Sequence, residues 1–308
     1  MLIFHGPQQQ VHCLAFVSAP DGPALAAGYQ DRVFVWSLAG GDPVELSVAP
    51  VEELAGTHGL EEVSASPDGE WLAGRWYRGT RLWRRHEGRW ADARIIPSDF
   101  ATVTFRDQEL ILAAGRQLAE SGPWGYVIVR LRPGGSPDVN EVLTQPHPDG
   151  KVTRGGHDAT TALSADGQFL ATAAREKAAQ LWDARSGEHL GSLPQRGFVE
   201  ALAWSPDGRT LALNAGVTVR LYDVAARTER VAFKAKYCYV PRLAFSPDGR
   251  LLATTDNSTG LHLWDAATGA RRATLRAGRE RRRPVAFAPD GLTVAAGGAN
   301  GSVVVWDL

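Results

Sequence analysis

The chain has 308 residues, of which 44% are hydrophobic, and carries 33 Lys and Arg against 34 Asp and Glu. This balance excludes a whole-molecule field that would favour nucleic acid or an anionic membrane, and no apolar run approaches the roughly 18 to 20 residues of a membrane span. Two cysteines, Cys13 and Cys238, occur in a chain that shows no basic n-region followed by a signal-like apolar core. We therefore expect free thiols and a cytoplasmic location.

A sequence unit recurs along the chain with a period of about 42 residues, which is typical of solenoids, propellers and arrays. Each complete copy has an Asp-Gly turn after its first apolar run and an aromatic residue at the end of its third. The Asp-Gly pairs begin at Asp21, Asp68, Asp166, Asp207, Asp248 and Asp290. The closing aromatics are Trp36, Trp83, Trp182, Tyr222, Trp264 and Trp306.

Short β-strands explain this unit better than helices do. Residues 251–255 and 261–264 are short apolar and β-branched runs bounded by turn-forming residues. In Ser246-Pro247-Asp248-Gly249, Pro fixes one φ angle, Asp bonds the local backbone and Gly adopts a positive φ that closes a hairpin. The repeated Asp is therefore interpreted as a turn residue, not as a metal ligand or catalytic acid.

Taken in chain order, the unit predicts seven repeats of four strands. Residues 2–4 supply the missing fourth strand of the last repeat, because residues 306–308 complete only its third, and this closure is expected to bury three apolar side chains. The third repeat is degenerate, with strands at 101–105, 110–114 and 126–129 and with Arg130 in place of the closing aromatic. The predicted repeats span approximately 11–48, 59–96, 100–145, 157–194, 199–234, 240–276, and 285–308 together with 1–5.

Three Trp-Asp pairs downstream of these turns resemble those of the WD-repeat β-propeller family: Trp182-Asp183, Trp264-Asp265 and Trp306-Asp307. The resemblance runs from about residue 11 to residue 308. It implies an all-β, seven-bladed propeller of four-stranded antiparallel blades, forming a single domain over residues 1–308. The buried polar network of the family, made of His, Asp, Ser or Thr, and Trp, is mostly missing, since only Gly156-His157 offers the Gly-His pair.

No catalytic, cofactor or metal motif stands out. The glycine-rich segment 297–301 leads into a strand and not into a helix, so it lacks the amides of a phosphate-binding loop. His147, Asp149, His157 and Asp158 match no known ligand spacing. We therefore expect no catalysis, cofactor or metal. The alternative of an enzyme with its active site at the channel mouth would have only His12 and Glu200 at the starts of inner strands.

The loops that join second to third strands, and each blade to the next, share one face of a propeller, which we call the top face. Arg, Tyr and Trp dominate these loops, and such residues are enriched at binding hot spots. We therefore expect a monomeric, non-catalytic scaffold that binds a protein or peptide here. An acidic peptide suits the arginines best, and the alternatives for that cluster are a nucleic acid or a solvated charged edge. The predicted partner-binding residues are Tyr29, Arg75, Trp76, Tyr77, Arg78, Lys236, Tyr237, Tyr239, Arg279, Arg281, Arg282 and Arg283.

Overall fold

The computed structural model describes residues 1–19, 22–47, 59–76, 79–97, 102–106, 109–117, 124–131, 141–146, 160–173, 178–194, 197, 199–235, 242–255, 260–276 and 282–308. Within these ranges, 28 strands form seven antiparallel sheets of four strands each. No helix in the described ranges is long and apolar enough to cross a membrane.

The strands form the blades in chain order. Strand β1 is Leu2–His5, and blade one contains β2 Cys13–Ala19, β3 Gly22–Gly28, β4 Arg32–Ser37 and β5 Val44–Ser47. Blade two contains β6 Glu62–Ala65, β7 Trp71–Trp76, β8 Gly79–His86 and β9 Arg89–Pro97. Blade three contains β10 Thr102–Arg106, β11 Glu109–Gln117, β12 Trp124–Leu131 and β13 Glu141–Pro146.

The remaining blades repeat the same order. Blade four contains β14 Thr160–Leu163, β15 Phe169–Ala173, β16 Ala179–Asp183 and β17 His189–Leu193. Blade five contains β18 Val199–Trp204, β19 Thr210–Ala215, β20 Thr218–Asp223 and β21 Thr228–Lys234. Blade six contains β22 Arg242–Phe245, β23 Leu251–Thr255, β24 Gly260–Asp265 and β25 Arg271–Arg276. Blade seven contains β26 Arg282–Phe287, β27 Thr293–Gly298, β28 Ser302–Asp307 and, as its fourth strand, β1.

The sheets form a closed ring. The first strand of each blade contacts the first strands of both neighbouring blades, and β26 returns to β2. First strands therefore line the central channel, and fourth strands form the outer rim. Because all seven first strands run in the same direction, their starts lie together on the top face and the Asp-Gly turns lie together on the bottom face. The prediction of a seven-bladed propeller is confirmed.

The N-terminal strand closes the last blade as predicted. Strand β1 pairs antiparallel with β28, with Leu2 opposite Val305, and the Phe4 ring packs against blade one, with its centroid 5.7 Å from that of Trp36. The expectation that three apolar side chains are buried is wrong, however. Leu2 and Ile3 each remain 47% exposed, because an outermost strand has no further strand to cover it.

The repeated Asp residues stabilise turns, as the sequence predicted. In blade two, the Asp68 carboxylate accepts hydrogen bonds from the Ser66 hydroxyl and the Glu70 N–H. Gly69 has a φ of 69°, and a Cβ there would lie 1.9 Å from the Ser18 carbonyl oxygen of blade one. Only glycine therefore fits this turn. The Ser-Asp bond recurs in blades four, five and six, at Asp166, Asp207 and Asp248.

The closing aromatics fill the spaces between blades. All six predicted residues lie on third strands and are buried. In blades four and six part of the polar network of the family survives, since Trp182 Nε1 donates to Thr172 Oγ1 at 3.0 Å and Trp264 Nε1 donates to Thr254 Oγ1 at 2.9 Å. Elsewhere the blades are held chiefly by apolar packing, as in the cluster of Leu72, Trp76 and Trp83 with blade one.

Blade three replaces its aromatic residue with a buried cation. Arg130 lies on β12, as predicted, and its Nη2 donates to the carbonyl oxygens of Gly167 and Ala184, both at 3.1 Å. Its Nη1 lies 3.7 Å from a carboxylate oxygen of Glu109. The two carbonyls belong to turns of blade four, so Arg130 joins blades three and four by charge-assisted hydrogen bonds.

Candidate interaction face

Charged residues stand at the starts of the inner strands, around the mouth of the channel on the top face. Glu61 and Glu62 stand at the start of β6, Glu200 follows Val199 on β18, and Arg242 opens β22. The carboxylates are partly exposed and Arg242 is exposed. The sequence prediction missed Glu61, Glu62 and Arg242 as site residues. An alignment of the repeats on their first strands would have found them, because it places each at the same end of the channel.

An ion-pair network around the buried Arg75 fixes one side of this face. Arg75 Nη1 donates to Glu61 Oε2 at 2.5 Å and its Nε donates to Glu62 Oε2 at 3.3 Å. Glu62 also accepts hydrogen bonds from Thr102 Oγ1 at 3.1 Å and from the Val103 N–H at 2.9 Å, both on blade three. The network therefore connects blades two and three. It leaves the Glu61 carboxylate more accessible than the Arg75 guanidinium.

Two aromatic residues predicted to bind a partner at this face are buried. Tyr29 is completely buried, and its hydroxyl donates to the Gly301 carbonyl oxygen at 2.8 Å; burial raises the pKa of this phenol. Trp76 is also buried, with its Nε1 donating to the Gln30 carbonyl oxygen at 3.3 Å. Neither side chain offers exposed contact area, because each reaches the backbone of a top loop in a neighbouring blade. Both residues, like Arg75, hold the bases of top loops in place.

The structure locates only part of the remaining prediction. Arg282 and Arg283 start β26, the inner strand of blade seven, so their backbones lie on the top face. The other predicted residues lie outside the described ranges and stay predictions: Tyr77, Arg78, Lys236, Tyr237, Tyr239, Arg279 and Arg281. Cys238 and the His and Asp residues considered as metal ligands, at positions 147–158, also lie outside those ranges.

The two candidates for a channel-mouth active site do not share a blade boundary. His12 precedes β2 in blade one, and Glu200 lies on β18 in blade five. The pKa of the Glu200 carboxyl is raised, because the effect of burial exceeds the opposing effect of a hydrogen bond with Asn214. Among described residues, no group of three or more His, Cys, Asp or Glu is arranged to hold a metal ion. Cys13 is buried, and its burial raises the pKa of the thiol, which makes it a poor nucleophile.

The repeats match a known family. The model of the WD domain, G-beta repeat, matches residues 146–183, 230–265 and 285–307. The first match ends at Asp183 on the third strand of blade four, the second runs from the fourth strand of blade five to the third strand of blade six, and the last lies within blade seven. These matches identify WD repeats in three segments of the closed ring, whose seven four-stranded blades and buried closing aromatics form a β-propeller.

Individual relatives are distant. The chain is 30% identical over 74 residues to the small ribosomal subunit protein RACK1 of Caenorhabditis elegans, which covers 24% of this chain and 23% of that protein. It is 23% identical over 233 residues to a subunit of chromatin assembly factor 1 from Gallus gallus, covering 73% of this chain and 34% of that protein. The chain thus spans between about a quarter and a third of these curated relatives. A chain in a crystal structure of the mitotic checkpoint complex has the same fold, with a TM-score of 0.76 and 17% identity over 100% of this chain and 91% of that one.

Proposed function

We propose that the protein is a non-catalytic scaffold that binds a protein or peptide partner on its top face. The observation that carries this proposal is the fixed set of charges at that face. Glu61, Glu62 and Arg75 are held in place by one another and by blade three, and Arg242 stands exposed at the start of its own inner strand. A rigid rim with charges at fixed positions suits recognition, because little side-chain freedom is lost on binding.

The comparisons support the same class of function. WD-repeat propellers are typically interaction scaffolds, and the similar proteins are named as a ribosomal-subunit protein, a subunit of an assembly factor and a chain within a complex. Fold similarity alone does not fix function. The separation of His12 and Glu200 on blades one and five argues against the enzyme alternative, which needs converging groups.

In this proposal the predicted loop residues make the contacts, and buried residues support them. Tyr29, Arg75 and Trp76 position the loops from below, since their polar atoms bond neighbouring backbone or carboxylates. The direct contacts would come from the aromatic and basic loop residues Tyr77, Arg78, Lys236, Tyr237, Tyr239, Arg279, Arg281, Arg282 and Arg283 together with Arg242. Basic residues outnumber acidic ones among these contacts, which favours an acidic partner, because their positive electrostatic field would attract and orient it.

The test uses defined peptides and matched charge reversals. Peptides of about 12 residues selected from a random display library against the purified protein are expected to be rich in Asp and Glu, and their affinities are measured by calorimetry. Combining Arg282→Glu with Tyr237→Ala is expected to weaken binding at least about thirtyfold, which corresponds to about 2 kcal/mol. The control is Arg250→Glu, which alters an 87% exposed side chain in a bottom-face turn. If the control abolishes binding and the top-face variant does not, the proposal is wrong. Tighter binding of an oligonucleotide, with a steep salt dependence, would favour the nucleic-acid alternative.

A further inference from the structure

Exposed apolar side chains are concentrated at one corner of the propeller. Seven large hydrophobic side chains are exposed in the described part of the chain, and two of them, Val44 on β5 and Val217 in blade five, lie elsewhere. Leu292 is 65% exposed in the bottom turn of blade seven, and the Leu308 N–H donates to its carbonyl oxygen at 2.9 Å. The remaining five form what we call the blade seven patch: Met1, Leu2, Ile3, Leu292 and Leu308.

The strands on either side of this patch carry opposite charge. On the rim of blade six, β25 exposes Arg271, Arg272 and Arg276, of which Arg272 is paired with Asp265. On the rim of blade one, the segment 42–45 exposes Asp42 and Glu45, and Glu45 is paired with Arg32. The sequence extends this contrast. Residues 220–283 carry 14 Lys and Arg against 6 Asp and Glu, a net charge of +8, whereas residues 1–70 carry 1 Arg against 10 Asp and Glu, a net charge of −9.

We propose that the blade seven patch is the centre of an interface between two copies of this chain, placed side by side with a two-fold axis parallel to the channel. Rotation by 180° about such an axis brings patch against patch, and it brings the basic flank of each copy opposite the acidic flank of the other. This rotation leaves the height of each residue along the channel axis unchanged. Arg271 and Asp42 both lie toward the bottom face, so Arg271 of one copy faces the end of the partner's rim that carries Asp42. A single interface of this kind thus covers the exposed apolar patch and pairs the basic flank of each copy with the acidic flank of the other.

Other occupants fit these observations less well. A membrane or an unrelated apolar segment would account for the patch but not for flanks of opposite sign. A two-fold axis perpendicular to the channel axis and tangential to the ring would pair β1 with its copy in antiparallel fashion, but it would place basic flank against basic flank. The side-by-side arrangement also leaves both top faces free and pointing in the same direction. A bivalent partner could then bind both, with an effective concentration set by their separation.

The first test is the concentration dependence of mass, measured by sedimentation equilibrium from about 1 to 200 μM protein. A dimer is expected in low salt, with a dissociation constant that rises in high salt because the flanking charges are screened. Ile3→Lys is expected to raise the dissociation constant at least about tenfold, because the Ile3 side chain is 47% exposed on the outer strand that faces the partner. The control, Val217→Lys, changes a side chain that is 44% exposed on blade five and should leave the dimer intact.

A charge-swap experiment tests the proposed symmetry. Arg271→Glu alone and Asp42→Lys alone are each expected to weaken dimerisation, whereas the double variant restores it, because in each copy the reversed residue again faces its opposite. Thermal melting of every variant checks that the propeller is intact. A monomer at all concentrations in low salt overturns the proposal, as does a dimer that Ile3→Lys leaves unchanged. A double variant no better than the single ones overturns the parallel two-fold arrangement.

Discussion

Replacing Arg130 with alanine tests how a blade without its closing aromatic is held in the ring. The substitution removes two hydrogen bonds from a charged group to the Gly167 and Ala184 carbonyl oxygens, and such bonds each contribute about 1.5 to 3 kcal/mol. The Glu109 carboxylate loses its ion-pair partner at 3.7 Å. Its side chain is 40% exposed, so water can solvate the carboxylate and the lost ion pair costs little. The expected loss is therefore about 3 kcal/mol, close to the lower bound for the two hydrogen bonds.

Chemical denaturation followed by tryptophan fluorescence measures this loss, and a thermal melt should show a decrease of roughly 5 °C. Arg130→Lys should lie between wild type and Arg130→Ala, because an ammonium keeps the charge but cannot span both carbonyls with a planar fork. Arg250→Ala is the matched control, since its side chain is 87% exposed, and surface substitutions usually change stability by less than about 0.5 kcal/mol. If Arg130→Ala is as mild as the control, the buried arginine does not hold blades three and four together.

Three further predictions concern single contacts. Thr254→Val removes the acceptor of the Trp264 indole N–H and should cost about 1 to 2 kcal/mol in urea denaturation; a neutral result would mean that the indole needs no partner. Phe4→Ala should destabilise the protein more than Ile3→Ala, because Phe4 packs on blade one whereas Ile3 is half exposed; equal melting temperatures would contradict this. The Ser246 hydroxyl and the Arg250 N–H lower the pKa of Asp248 below 3.8, so its contribution is complete above about pH 4 and is lost as the pH falls through the folded-state value. Asp248→Asn should therefore flatten the stability profile between about pH 5 and pH 2, and an unchanged slope would refute it.

The sequence by itself determined the repeat architecture. Each turn is specified locally, since Asp68 bonds groups within two residues of itself and Gly69 adopts a positive φ. The number of blades followed from the spacing of the closing aromatics, and even the degenerate third blade could be found, with Arg130 correctly placed. These features depend on short-range chemistry repeated at a fixed interval, so one chain contains several independent copies of the same signal.

Only the tertiary structure decided which residues of the top face are available for binding. Tyr29 and Trp76 have the loop position and residue type of binding residues, yet both are buried. Their hydrogen-bond acceptors are Gly301 and Gln30, which lie 272 and 46 residues away in the chain. The same holds for Leu2 and Ile3, whose apolar character predicted burial but whose position on an outermost strand leaves them exposed. Local sequence specifies a strand or a turn, whereas burial depends on what the neighbouring blade brings to the other side.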